Sequence, residues 1–291
     1  METETQTETE TRLEFIERLV EQLLANESFM SYSSLKQFKD SPKAFIDYKM
    51  KAMDQTPAMQ FGTIVHCLVL EPDEFDSRYM ALDDAEIVAQ IGGARPTATK
   101  AYKEWKAEQQ QTADAAGLEI VEAEAYRKAQ AIALNIRHNR AARKVLKMAD
   151  KREQRIEWQY MNFAFRGIID GAGDNYIFDL KTCADAEPRK FQRDIVNMGY
   201  YIQAALYLKG IGRNVPYYII AADQKGGVSV HQIEEELLVH GLEEVDKLMS
   251  FFNDACLQVK EGKPEIFNES FEFWADRFDG IYKMEKPAYL Y

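Results

Sequence analysis

Residues 162–181 read Asn-Phe-Ala-Phe-Arg-Gly-Ile-Ile-Asp-Gly-Ala-Gly-Asp-Asn-Tyr-Ile-Phe-Asp-Leu-Lys, and their pattern decides the fold. Asn162 to Asp170 is mostly apolar and β-prone. Gly171, Gly173, Asp174 and Asn175 supply turn chemistry, and Tyr176 to Leu180 is apolar again, which predicts a β-hairpin. Side chains alternate along a strand, so Asp179 and Lys181 share one face while Phe178 and Leu180 share the other. The hairpin therefore brings two carboxylates, Asp170 and Asp179, and the amine of Lys181 to one place. Mg²⁺ is a hard cation that takes oxygen ligands and keeps several waters, so two carboxylates suffice and a substrate phosphate completes the shell. A lysine beside it can orient or deprotonate water, or offset charge in a phosphoryl transition state. The plain alternative is a turn aspartate and an ordinary Asp–Lys pair at a strand end, because short motifs arise easily by chance.

Three further features bear on that choice. Phe61 to Leu70 is an apolar run that reads as a helix ending before Glu71-Pro72, and it carries His66. A lone histidine there is usually a core residue, yet its imidazole can also offer nitrogen to the same metal. Gln203 and Tyr207 are spaced i,i+4 on a helix expected from Pro188 to Lys209, which puts both polar tips on one face. Glu157, on the strand before the hairpin, is either an accessory catalytic acid or an exposed strand glutamate.

Gly-x-x-x-His (Gly62–His66), Gly-x-x-Asp (Gly167–Asp170), Asp-x-Lys (Asp179–Lys181) and Gln-x-x-x-Tyr (Gln203–Tyr207) occur in that order. The series resembles the RecB-type branch of the PD-(D/E)XK nuclease superfamily, and within it the exodeoxyribonuclease VIII (RecE-type) nuclease domain. Ser31-Tyr32-Ser33-Ser34-Leu35 with Ser41-Pro42-Lys43-Ala44-Phe45 is similar to that family's N-terminal helix entry. Leu70-Glu71-Pro72-Asp73-Glu74-Phe75 resembles the end of its histidine segment, and Arg95 through Lys106 its linker to the middle helices. The likeness spans roughly residues 30–280. It implies that His66, Asp170 and Asp179 hold Mg²⁺, or Mn²⁺ as an alternative, with the Leu180 carbonyl as a candidate fourth donor. Lys181 would be the catalytic lysine, and Gln203 and Tyr207 would bind DNA or brace the site. The superfamily's proline before the first aspartate is Ile169 here, a position that varies in the RecB-type branch. Some RecB-type nucleases carry an iron–sulfur cluster on four cysteines; three (Cys67, Cys183, Cys256) leave none expected here.

The formal net charge is −12, whereas nucleic-acid binding leaves a basic footprint. Distribution matters more than the sum. Residues 137–155 hold eight cations (Arg137, Arg140, Arg143, Lys144, Lys147, Lys151, Arg152, Arg155) against Asp150 and Glu153, and Lys36, Lys39, Lys43, Lys49 and Lys51 form a second cluster. Either is a solvated helix face or a phosphate-contacting surface. With the nuclease resemblance the second reading is preferred, and Ser33, Ser34, Lys36, Lys43 and Arg95 become candidates for gripping a DNA end. No run of about 18 apolar residues predicts a membrane span. The absence of a basic-then-apolar leader and of paired cysteines predicts a cytoplasmic protein.

Glu/Thr-rich residues 1–11 are low-complexity and expected to be disordered, and Arg12–Ala25 is an amphipathic helix that docks on the body, a second subunit or a partner. Together they form an acidic tail plus helix over 1–28, followed by one nuclease domain over 29–291, helical to about 150 and sheet-based from about 151 to 260. Helices are expected at Leu35–Met50, Phe61–Leu70, Ala101–Ala115, Glu119–Ala149, Pro188–Lys209 and Glu235–Lys260, with Asp83–Thr99 a loop. Strands are expected near 153–160, 163–170, 176–181, 215–222 and 228–234, and the tail from Pro264 carries aromatic anchors such as Phe267 and Trp274. The fold class is α/β, a restriction-endonuclease-like core in which helices flank a central mixed sheet, with a helical N-terminal elaboration. The resemblance implies a Mg²⁺-dependent 5′→3′ exonuclease on linear double-stranded DNA ends, leaving 3′ tails for phage-type recombination. In that mechanism water attacks the phosphate in line, with Lys181 assisting. It also implies a RecT-type single-strand annealing partner, a homo-oligomer that closes into a ring, and a phage or prophage origin in a bacterial host. The alternatives are an endonuclease or single-strand exonuclease on the same site, or a non-catalytic DNA-binding protein that keeps the fold.

Overall fold

The computed structural model describes residues 11–50 and 56–269; the acidic segment 1–10, Lys51 and Trp274 lie outside them. In chain order the elements are α1 (Arg12–Leu24), α2 (Tyr32–Asp40), α3 (Pro42–Met50), α4 (Pro57–Leu70), α5 (Phe75–Arg78), β1 (Tyr79–Ala81), α6 (Ala85–Ile91), α7 (Lys100–Ala116) and β2 (Glu119–Val121). They continue with α8 (Ala123–His138), α9 (Arg140–Lys147), β3 (Lys151–Tyr160), β4 (Phe163–Gly173), β5 (Tyr176–Cys183), α10 (Pro188–Asn197), α11 (Tyr200–Ile211), β6 (Tyr217–Asp223), β7 (Val228–Ile233) and α12 (Glu235–Lys260).

Each expected helix that proves to be two breaks for a local reason. Leu35–Met50 divides at Ser41, whose extended backbone (φ −172°, ψ 158°) precedes Pro42; a residue before proline is pushed out of the helical region, and proline is at ease at the first position of the next helix. Glu119–Ala149 gives up its first residues to β2 and divides at Asn139, which is extended and caps α9 by accepting from the Ala142 N–H. Pro188–Lys209 divides at Gly199, whose φ of +71° needs glycine. The expected loop Asp83–Thr99 contains α6. Gly171 and Gly173 belong to β4 rather than to the turn, which is Asp174-Asn175 alone.

The sheet is mixed, in the order β3-β4-β5-β6-β7, with β4/β5 and β6/β7 antiparallel and β5/β6 parallel. A separate two-stranded parallel sheet pairs β1 with β2. The described residues divide into two compact units, one within 11–50, 157–167 and 240–269, the other within 56–156 and 168–239, so β3 and β4 contribute to both.

In the first unit α1 buries Ile16, Leu19, Val20 and Leu23, and Arg12 ties it to Asp47 (2.6 Å) and Asn268 (2.6 Å). The amphipathic helix therefore docks on its own chain. Its neighbours form an aromatic core in which the Phe252 ring lies 5.1 to 5.8 Å from those of Phe38, Phe45, Phe163 and Phe267.

The second unit has three layers. Register places Leu180, Ile220 and Val230 side by side, and with Phe178 and Ala222 they pack against α4, α8 and α9. The alternate residues Asp179, Ile219 and His231 face the opposite way, where Gln203 of α11 meets Asp179 and Phe191 of α10 meets His231. Close approach is set by glycine: a Cβ on Gly62 would lie 3.3 Å from Thr182 Oγ1, and one on Gly171 would lie 2.1 Å from the Phe178 ring. Phe178 is fully buried and cannot step aside. Gly171→Ala is expected to destabilise the protein by about 1–3 kcal/mol through this overlap, read as a lowered midpoint in urea with an unchanged m-value. An unshifted midpoint would contradict the packing.

Candidate active site

Strands β4 and β5 pair over three rungs, from Gly173–Tyr176 to Gly171–Phe178. One residue further along β4, the Asp170 side chain takes over, and its Oδ2 accepts the Leu180 N–H at 2.6 Å. The Leu180 carbonyl faces α4, where His66 Nε2 lies 2.7 Å from it. The other ring nitrogen, Nδ1, is 3.6 Å from Asp170 Oδ2 and 3.9 Å from Glu153 Oε1. One ligand atom from each of His66, Glu153 and Asp170 lies within 4.8 Å of the others. Helix α4 is steadied by cations: Arg137 donates to the Leu68 carbonyl (2.6 Å) and Arg152 to that of Leu70 (2.9 Å), satisfying two of the acceptors that a helix C-terminus leaves open.

On the next strand residue Asp179 is buried, with Lys181 Nζ 2.7 Å from its Oδ2 and Gln203 Nε2 donating to its Oδ1 at 3.2 Å. Gln203 also bonds Tyr207, so the i,i+4 pair braces this carboxylate from within the unit. Both residues are buried, which places them behind the site instead of on a DNA-facing surface. The Lys181 ammonium stands 5.0 Å from the centre of the Tyr200 ring.

The charges sharpen one another. Burial works against a charged His66, but the carboxylates of Asp170, Glu153 and Asp179 outweigh it and raise the imidazole to about 9. Burial pushes the Asp179 carboxyl up to about 6, with Lys181 pulling against that rise and Asp170 adding to it. Burial also opposes the Lys181 ammonium, yet Asp179 and Asp170 prevail and hold the amine above its ordinary range.

His66, Asp170, Asp179, Leu180 and Lys181 lie in one unit, but the ligand atoms that converge are those of His66, Glu153 and Asp170, while Asp179 pairs with Lys181. Two expectations need correction. Glu157 lies in the other unit, 47% exposed, where Arg166 holds it at 3.0 Å; the acid of β3 that joins the cluster is Glu153. Ser34 is buried and closes a capping box with Ser31, each side chain accepting the other's backbone N–H, so it begins α2 instead of presenting a hydroxyl to DNA. Ser33, Lys43 and Arg95 are exposed and Lys36 is half-buried, with Lys43 paired to Asp47 at 2.7 Å. Glu153 was concealed by its neighbours, since Lys-Arg-Glu-Gln-Arg reads as a basic run. Its backbone is left-handed (φ +46°), which costs a non-glycine residue about 1–2 kcal/mol. An acid standing alone in such a run is the one signal that could have found it.

The donors suit a small hard cation. An imidazole nitrogen and two carboxylates converge, and Asp179 Oδ2, buried beside them, has an ion-pair partner but no hydrogen bond of acceptable geometry. Such residues fit Mg²⁺ or Mn²⁺.

Residues 31–265 match the family described as "PDDEXK-like domain of unknown function (DUF3799)", and the chain belongs to that family. Its mixed sheet flanked by helices is the PD-(D/E)XK nuclease fold. Among solved structures it is similar to one from Eubacterium rectale described as a "Putative exonuclease", with 17% identity, 90% of this chain and 92% of that one covered, and a TM-score of 0.55. An alkaline exonuclease (LHK-Exo) from Laribacter hongkongensis is similar at 15% identity over 67% of this chain and 99% of that one, with a TM-score of 0.31. No curated protein matches the sequence. Among the described residues, no helix is long and apolar enough to cross a membrane.

The raised imidazole makes stability pH-dependent without metal. A base whose folded pKa exceeds its unfolded value of 6.5 stabilises fully below pH 6.5 and loses that contribution as pH rises through about 9. In chelator, the stability gap between wild type and His66→Gln should narrow by up to about 3 kcal/mol between pH 6.5 and 9.5. Urea titrations across that range test it, and a constant gap would contradict the charged cluster.

Proposed function

We propose that this protein is a metal-dependent DNA exonuclease that degrades linear double-stranded DNA from its ends. The observation that carries the reading is the convergence of His66, Glu153 and Asp170 beside the buried Asp179–Lys181 pair. When bound there, Mg²⁺ or Mn²⁺ would supply Lewis-acid polarisation of a phosphoryl oxygen and a water of lowered pKa. His66, Glu153 and Asp170 would hold it, with Asp179 beside them, while the Leu180 carbonyl is occupied by the other nitrogen of the His66 ring.

The chain's own groups define the rest. The Lys181 ammonium, paired with Asp179, would act as a cation and hydrogen-bond donor toward the phosphoryl oxygens. Asp179 keeps that ammonium in place, and Gln203 and Tyr207 fix the Asp179 carboxylate. Leu180 N–H holds Asp170 from the other side. The order of the four motifs supports the RecE-type assignment, and with it 5′→3′ polarity, 3′ tails for recombination, an annealing partner and a ring-shaped oligomer.

Linear duplex labelled at the 5′ or the 3′ end, incubated with Mg²⁺ beside a closed circle, tests the function. Prompt metal-dependent release of the 5′ label with the circle intact is expected; cutting of the circle would identify an endonuclease, and no cleavage would overturn the enzymatic reading. Lys181→Ala should slow cleavage by roughly 10²–10³-fold or more while retaining Mn²⁺ binding in a calorimetric titration. Asp170→Ala should lose both. Normal turnover by either variant would overturn the site.

A further inference from the structure

Eight cations crowd residues 137–155, and the structure divides them by use. Arg137 and Arg152 cap the carbonyl end of α4, and Arg152 also reaches the Leu146 carbonyl of α9 (3.4 Å). Arg140, Arg143, Lys144 and Lys147 are spaced i, i+3, i+4, i+7 on α9, which places all four on one helical face. They are exposed, while Ala142 and Leu146 on the opposite face are buried. Lys151, also exposed, opens β3 two residues before Glu153.

That face is electrostatically unfavourable alone. Like charges at i,i+3 and i,i+4 repel, and a cation at the first position of a helix opposes its macrodipole, as Arg140 does here. No acid lies within α9 to offset them. Three other helices of this acidic chain pair a cation with an acid at i,i+4, in Lys43–Asp47, Lys100–Glu104 and Lys128–Glu124. Among the described residues, no ion pair involves Arg140, Arg143, Lys144, Lys147 or Lys151.

The helix is also rigidly mounted. Asn139 donates from its side chain to the Val228 carbonyl (3.1 Å), and the Tyr176 hydroxyl donates to that of Val145 (2.7 Å). At the C-terminal end, a Cβ on Gly173 would meet the Met148 carbonyl at 2.8 Å. The cations therefore stand on a fixed support joined through Arg152 to the helix that carries His66.

We infer that the solvent face of α9, continued by Lys151, is a phosphate-binding stripe that holds the nucleic-acid backbone on its way to the His66–Glu153–Asp170 cluster. The inference rests on the nuclease reading above. At 1.5 Å per residue the four α9 cations span about 10 Å, the axial rise of roughly three nucleotides of one duplex strand. Contacts of this kind are indifferent to base sequence and sensitive to salt.

The test compares Lys181→Ala protein, which retains the stripe and should cut at least about a hundredfold more slowly, with the same protein also carrying Arg140→Gln, Arg143→Gln, Lys144→Gln and Lys147→Gln. Binding to a blunt thirty-base-pair duplex and to its separate strand is measured by anisotropy from 50 to 300 mM salt in Mg²⁺. Each lost phosphate contact flattens the slope of log K against log[salt] by about 0.9 on duplex and about 0.7 on single strand. We expect the quadruple variant to be shallower by two or more such steps and at least tenfold weaker at 100 mM salt, with an unchanged melting curve. Coincident slopes and affinities would overturn the stripe alone and leave the nuclease reading standing. Failure of the Lys181→Ala parent to bind either DNA would overturn both.

Discussion

The candidate site depends on the hydrogen bond from the Leu180 N–H to the Asp170 carboxylate, where a side chain replaces the backbone of its own strand. Beyond Gly171 a continued ladder would place a carbonyl opposite Leu180; instead the aspartate spans the gap. Asp170 is thereby anchored at one oxygen and remains near His66 and Glu153. The same strand residue offers its carbonyl to His66, so the Leu180 backbone organises the site from both sides. An apolar residue suffices there because its peptide group supplies the chemistry, while its side chain belongs to the core.

Around this anchor, buried charge is arranged in opposed pairs. A buried ion pair is weak evidence for stability, because taking both ions out of water offsets much of their attraction. Asp179 and Lys181 accept that cost, and Asp179 has no full complement of hydrogen bonds. Groups of this kind gather where charge must appear during a reaction, and the raised His66 and Asp179 fit that pattern. The surface follows a different logic. Acid and base neutralise one another at i,i+4 in α3, α7 and α8, whereas α9 carries four exposed cations and no acid.

Much of this is legible in the amino-acid sequence. The hairpin, the Asp-x-Lys strand and the histidine helix rest on apolar periodicity and turn chemistry, which are local properties of the chain. Glu153 was not readable, because a left-handed residue that redirects one side chain leaves little trace in composition. Gln203 and Tyr207 shared a face as their spacing required, yet spacing does not say whether a face meets solvent or a buried carboxylate. Ser34 shows the same limit: Ser-x-x-Ser before an apolar run serves a helix cap as well as it would serve a phosphate, and the cap prevailed. The long helices were overextended at Ser41, Asn139 and Gly199, where one residue's backbone preference outweighs the periodicity on either side.

The phenylalanine core of the first unit has a consequence for how the chain comes to be folded. Phe38 and Phe45 are synthesised early, whereas Phe252 and Phe267 emerge only after every strand of the sheet. Joining them closes a loop that contains most of the protein, an entropic cost that slows folding without greatly changing stability. On the ribosome, α2 and α3 must wait with an apolar face uncovered until α12 arrives. Exposed apolar surface of this kind favours association, and truncation before α12 would leave the helices at its beginning without the Phe252 and Phe267 rings that complete their core.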